Sequence, residues 1–96
     1  MIVIFNPLFK LGQLLSTPGA VEAMREANAN AAHYINRHAK GDWGDLCAED
    51  KALNDCAIAN GNRIFSAYVL SGTKVKLWII TEADRSCTTI LLPDEY

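Results

Sequence analysis

Apolar and polar residues alternate most regularly in Val75-Lys76-Leu77-Trp78-Ile79-Ile80-Thr81. Successive side chains of an extended segment point to opposite faces, so this pattern predicts a strand over 75–81. Val75, Leu77 and Ile79 share one face of it, and Lys76, Trp78 and Ile80 share the other. A second strand is predicted over 63–70, joined to the first by the hairpin-type loop Ser71-Gly72-Thr73. A third is predicted over 86–92, after the turn Ala83-Asp84-Arg85 and before Pro93, which stops it. Residues 9–15 read as a short further strand that joins a sheet edge.

Between these segments the apolar spacing changes to three and four. A helix is predicted over 20–27, with Thr17 as its cap, Pro18 in its first turn, and Ala20, Val21 and Met24 on one side. A second is predicted over 31–40, capped by Asn30 and stopped by Gly41, with Ala31, Tyr34, Ile35 and His38 on a common face. A third is predicted over 45–59, capped by Asp45 and ended by Asn60-Gly61, with Ala48, Ala52, Leu53, Cys56 and Ala57 as its buried stripe. Together these elements give one α+β domain over 1–96: a three- to four-stranded antiparallel meander sheet packed on one face by two or three helices.

Composition narrows the functional classes. Of the 96 residues, 50% are apolar and 21% charged, enough for one folded core. Nine basic residues scattered along the chain against eleven acidic ones form no basic stripe, so direct nucleic-acid binding is not expected. No run approaches the ~18 apolar residues of a membrane span. The apolar start, Met1 to Asn6, lacks the basic flank of a secretory signal. The cysteines number three and form no Cys-x-x-Cys, which fits a reducing cytoplasm without disulfides. No glycine-rich phosphate loop occurs, and no cofactor is expected. A homodimer that hides further apolar surface is left open.

Candidate chemistry concentrates in residues 38–50, where His38 is followed by Asp42, Asp45, Glu49 and Asp50. A small metal-dependent or hydrolytic enzyme would use His38 with Asp42, Asp45 and Glu49. Zinc, however, favours nitrogen and sulfur, and the spacing matches neither a His-Glu-x-x-His helix nor a calcium loop. The plainer expectation is a turn in which Asp42 and Asp45 satisfy backbone amides and Trp43 anchors the chain on the core. Glu82 and Asp84, with Arg63 or Arg85, are acid–base candidates on a polar turn without defined geometry. Cys56 is expected on the buried stripe of its helix, where a thiol acts as a small hydrophobe.

A binding surface is the alternative. Helices on one side leave the other side of the sheet bare, and Trp78 and Ile80 face that side if Leu77 and Ile79 face the helices. The neighbouring strand contributes either Ile64, Ser66, Tyr68 and Leu70 or Arg63, Phe65, Ala67 and Val69. The candidate interface is therefore Tyr68, Trp78 and Ile80, rimmed by Lys76 and Arg63, since aromatics with a basic rim are enriched at interfaces. Strand 9–15 or the N-terminal tail is the alternative cover for this patch.

Three stretches carry a family resemblance: Leu11-Gly12-Gln13 with Thr17-Pro18-Gly19-Ala20, Gly41-Asp42-Trp43-Gly44-Asp45 with Glu49-Asp50 and Asn54, and the tail from Lys76 to Tyr96. Together they resemble a family of small bacterial proteins carried by plasmids, prophages and integrative elements. Some members bear the label of a type I restriction endonuclease M subunit. A methylation subunit needs a large cofactor fold and an Asn-Pro-Pro-Tyr-like motif, and this chain has neither. The resemblance implies a non-enzymatic protein-interaction module of a mobile genetic element. It would inhibit a host defence nuclease in the anti-CRISPR or anti-restriction manner, with a host defence complex as its protein partner. It supplies no catalytic residues.

Overall fold

The computed structural model of the protein describes residues 3–96; Met1 and Ile2, which open the apolar start, lie outside the described residues. The element order is β1 (Gln13–Ser16), α1 (Pro18–Glu26), α2 (Ala31–Ala39), α3 (Ala48–Asn60), β2 (Ile64–Val69), β3 (Lys76–Thr81) and β4 (Cys87–Leu91), closed by a 3-10 turn (Pro93–Glu95). This is the α+β architecture expected, with a four-stranded sheet in the order β1-β4-β3-β2. β2, β3 and β4 form the antiparallel meander, whereas β1 pairs parallel to β4, a departure from an all-antiparallel sheet.

Local chemistry accounts for the first two helices. The Thr17 hydroxyl accepts from the Ala20 amide at 3.2 Å, and Pro18 enters α1 where a missing N–H costs nothing. The Asn30 side chain accepts from the Ala32 amide at 3.0 Å and starts α2. α2 buries Tyr34, Ile35 and His38, as their spacing predicts. α1 buries Ala20 and Met24, but Val21 lies on its solvent side.

β1 is shorter than predicted. Gly12 has φ +66, and a Cβ there would overlap the Ser86 carbonyl, so the chain kinks against β4 before pairing begins. Phe9 and Leu11, read as strand residues, are core side chains instead.

α3 departs furthest from expectation. Asp45 does not cap it; the Asp45 amide donates to the Ala67 carbonyl at 2.6 Å, and Cys47 takes the cap position without a side-chain bond. Of the predicted stripe only Ala57 is buried: Leu53 is 66% exposed, Ala48, Ala52 and Cys56 face solvent, and Asn54 turns inward beside Ala57. The reason is that α3 meets the sheet at the outer edge of β2. The Asn54 amide donates to the Phe65 carbonyl at 2.6 Å and its oxygen accepts from the Phe65 N–H at 3.1 Å, in place of a neighbouring strand. The next outward position of that edge, Ala67, is taken by the backbone around Gly44: its N–H donates to the Trp43 carbonyl at 3.2 Å. Gly44, at φ +76, leaves no room for a Cβ beside the Ala67 oxygen.

Register assigns the two faces. Ile64, Ser66, Tyr68, Leu77, Ile79, Thr81, Thr88 and Ile90 share the helix side, and Phe65, Ala67, Trp78, Ile80, Thr89 and Leu91 the other. Val75, expected to point inward, precedes β3 and is exposed. No helix among the described residues is long and apolar enough to cross a membrane.

Candidate functional site

The polar stretch from His38 onward does not converge. His38 is fully buried, its Nδ1 on the Ser66 hydroxyl and its Nε2 on the Thr81 hydroxyl at 2.9 Å. Thr81 meets the Thr88 hydroxyl at 2.7 Å, and Thr88 reaches the Leu11 carbonyl at 2.7 Å. This relay runs from β2 through α2, β3 and β4 to the loop before β1. A serine on a histidine resembles an activated nucleophile, but neither group is exposed, so no substrate reaches it. Burial lowers the imidazole pKa to about 3, so the ring is neutral.

Asp42 is outside the core. Its carboxylate pairs with Arg37 (Nε to Oδ2, 2.7 Å), which holds the acid below its usual range and raises the guanidinium. Arg37 lies 4.5 Å over the Tyr68 ring, and the Tyr68 hydroxyl donates to the Asp42 carbonyl at 2.6 Å. Burial raises the Tyr68 phenol pKa. Trp43 is buried and donates from Nε1 to Asp55 at 3.0 Å, which ties the turn to α3. Glu49 and Asp50 sit in the first turn of α3, where the helix dipole favours carboxylates. His38, Asp42, Asp45 and Glu49 thus form no common site, and among the described residues no group of three His, Cys, Asp or Glu side chains is placed to hold a metal ion.

The second set of chemical candidates is also structural. Arg85 donates to the carbonyls of Asn62 at 2.7 Å and Ala57 at 2.9 Å, which clamps the end of α3 to the β3–β4 turn. Asp84 accepts from Ser86, and those bonds lower its pKa. Cys56 and Cys47 are exposed, which corrects the placement of Cys56 on a buried stripe.

One open feature, of about 360 Å³, lies beside α2 among Phe5, His33, Asn36, Arg37, Lys40 and Asp42; another is on the outer sheet face. A cleft of about 240 Å³ is lined by Arg63, Phe65, Trp78, Ile80 and Tyr96. Phe65 and Trp78 meet edge to face at 5.0 Å, and Trp78 meets Tyr96 at 5.9 Å. Arg63 donates to the Tyr96 hydroxyl at 2.7 Å, with its guanidinium 5.5 Å from that ring. The expected interface is therefore partly assembled: Trp78, Ile80 and Arg63 come together, and Lys76 shares their face on an exposed strand end outside the cleft. Tyr68 does not belong to it, because its parity puts it on the helix side, where its hydroxyl holds the Asp42 turn. Phe65, from the alternative strand parity, takes its place.

Tyr96 carried no signal in the sequence, because its position depends on Glu95. The Glu95 carboxylate accepts from the Gly19 amide at 3.1 Å, the Leu92 amide at 2.9 Å and the Thr17 hydroxyl. The Thr17 bond is the largest of the effects that keep this acid's pKa low. A Cβ at Gly19 would meet that carboxylate and displace the end of the Glu95 side chain. Neither expected cover lies on the cleft. β1 is at the far edge of the sheet, and the N-terminal segment follows α2, where Asn36 accepts from the Phe5 amide and donates to the Val3 carbonyl, both at 2.9 Å. No protein-family model, curated protein or solved structure matches the chain.

Proposed function

We propose that this chain is a non-enzymatic protein-interaction module whose docking surface is the cleft of Arg63, Phe65, Trp78, Ile80 and Tyr96. The observation that carries the reading is three aromatic rings and one arginine around an open recess on the sheet face away from the helices. Large rings bury much area for little rotamer entropy, and tryptophan, tyrosine and arginine dominate interface hot spots. The groups otherwise fit for catalysis are engaged in folding bonds: His38 with Ser66 and Thr81, Asp42 with Arg37, Arg85 with backbone carbonyls. The sequence resemblance supports a setting on a mobile genetic element and a host defence nuclease as the partner, and three cysteines without a Cys-x-x-Cys fit a cytoplasmic location.

The test is to express the tagged chain in a host with an active CRISPR or restriction system. Targeted-phage plating efficiency is measured and the nuclease is sought among co-purifying proteins. Wild type and Leu53→Ala are expected to raise plating and retain the nuclease, and Trp78→Ala to lose both. Equal behaviour of wild type and Trp78→Ala, or no nuclease in either eluate, overturns the proposal.

A further inference from the structure

We infer that the segment the outer-face cleft takes from its partner is proline-rich and carries an acidic residue; this rests on the reading of that cleft as the docking surface. The walls are the rings of Phe65, Trp78 and Tyr96 with the Ile80 side chain, and the one charge is Arg63. The Trp43 indole donates to Asp55, but the Trp78 indole N–H has no partner among the described residues. No buried side-chain nitrogen or oxygen lacks a partner there, so this half-buried ring keeps its N–H open to solvent. The Tyr96 oxygen already accepts from Arg63 Nη1, which leaves its own O–H and the remaining guanidinium N–H groups to donate. The polar groups that these side chains offer a ligand are therefore all donors.

That bias selects the occupant. An ordinary peptide brings N–H donors along with its carbonyls, and a sugar brings hydroxyl donors; the lining side chains offer no acceptor for either. Proline has no N–H, and a polyproline II segment holds its carbonyls outward without internal hydrogen bonds, so it brings only acceptors and apolar rings. Such segments dock in aromatic-lined grooves, and their stiffness lowers the entropy lost on binding. Trp78 forms a wall of this kind with Phe65 at 5.0 Å on one side and Tyr96 at 5.9 Å on the other. The charge is unmatched as well. Arg63 makes no ion pair among the described residues, and Glu82, just after β3, does not reach it. A carboxylate beside the prolines would meet the free side of the guanidinium. Single-stranded nucleic acid could stack on the same rings, but its phosphates need clustered cations, and Arg63 is the one cation in the lining.

The test is an NMR titration of the isotope-labelled chain, read at the Trp78 indole signal with the buried Trp43 indole as internal control. The probes are acetyl-Pro-Pro-Glu-Pro-Pro-amide, its counterpart with glutamine for glutamate, its counterpart with alanine for every proline, and an oligothymidylate. The glutamate peptide is expected to shift the Trp78 signal with a Kd of about 0.5 mM, the glutamine peptide to bind about fivefold more weakly and the alanine peptide about tenfold more weakly. Arg63→Gln should bring the glutamate and glutamine peptides to equal affinity while the alanine peptide stays weaker. The inference is overturned by an unmoved Trp78 signal up to about 10 mM peptide, by equal affinity of the proline and alanine peptides, by equal affinity of the glutamate and glutamine peptides for wild type, or by an oligothymidylate that binds more tightly than the glutamate peptide. If Trp78→Ala still loses the nuclease while the peptides fail, the proline segment is wrong and the docking surface stands. If the nuclease ignores Trp78→Ala while the glutamate peptide binds as expected, the cleft reads prolines and its partner is another protein.

Discussion

The Thr88 hydroxyl donates to the Leu11 carbonyl at 2.7 Å, and this one bond sets the direction of every hydrogen in the buried relay. A carbonyl only accepts, so the Thr88 proton is committed to it, and Thr81 must donate to Thr88. Thr81 then accepts from His38 Nε2–H, and His38 Nδ1 accepts from Ser66. The imidazole is held in a single tautomer, and a second ring proton would require the Ser66 hydroxyl to turn away and accept from Nδ1–H.

Stability is therefore expected to fall on mild acidification. The folded His38 pKa is lowered to about 3 from 6.5, so the unfolded chain takes up a proton that the native state refuses. The contribution is complete above the unfolded value and is lost as pH drops from 6.5 toward about 3, by about 1.4 kcal/mol per pH unit. Asp42 and Glu95, whose pKa values are lowered, lose their contributions only as pH drops through the carboxylate range. Urea unfolding between about pH 7 and about pH 5 checks this, and His38→Gln should flatten the slope.

Thr81→Val keeps the shape of the side chain but cuts the relay at its centre. The buried His38 Nε2–H loses its acceptor and Thr88 its donor, which should destabilise by about 1–3 kcal/mol. The urea midpoint measures the loss.

On α3, a polar residue matters more than the apolar one beside it. Asn54→Leu leaves the Phe65 N–H and C=O without partners and should destabilise by about 1–3 kcal/mol, with faster hydrogen exchange at the Phe65 amide. Leu53→Ala, at a solvent-facing position, should stay within about 0.5 kcal/mol of wild type.

Two left-handed glycines separate strain from collision. Gly61→Ala meets open space at φ +73 and should destabilise by about 1–2 kcal/mol. Gly44→Ala drives a methyl into the Ala67 carbonyl and the Tyr68 ring, opening the β2 edge, and should exceed about 3 kcal/mol. Thermal unfolding of the two variants checks the ranking.

Much of the fold is legible because its punctuation is local. Thr17-Pro18, Asn30, Gly41 and Gly61 mark helix limits through their own backbone chemistry, and the alternation of β3 needs only neighbours in sequence. What stays hidden is non-local. Asn54 looks like a solvent residue until the edge of β2 is known to need its amide. The parity of β2 is undecidable from the strand alone, since both sets carry an aromatic ring. It is settled by Ser66 meeting His38 and Tyr68 meeting Asp42, contacts spanning 28 and 26 residues. Three of the five residues lining the cleft, Trp78, Ile80 and Arg63, are therefore readable in the sequence, while Phe65 and Tyr96 emerge only from the assembled sheet.

The seal along β2 also limits what strand addition could ever build. An edge strand with free amides at both sides of a sheet can recruit copies without end, as a growing filament does. Here Asn54 and the Gly44 bridge occupy the outward groups of Phe65 and Ala67, so a second strand meets a largely filled edge on that side. Open-ended growth through strand edges is therefore hindered at Asn54, a residue that the helix pattern alone would have left unremarked.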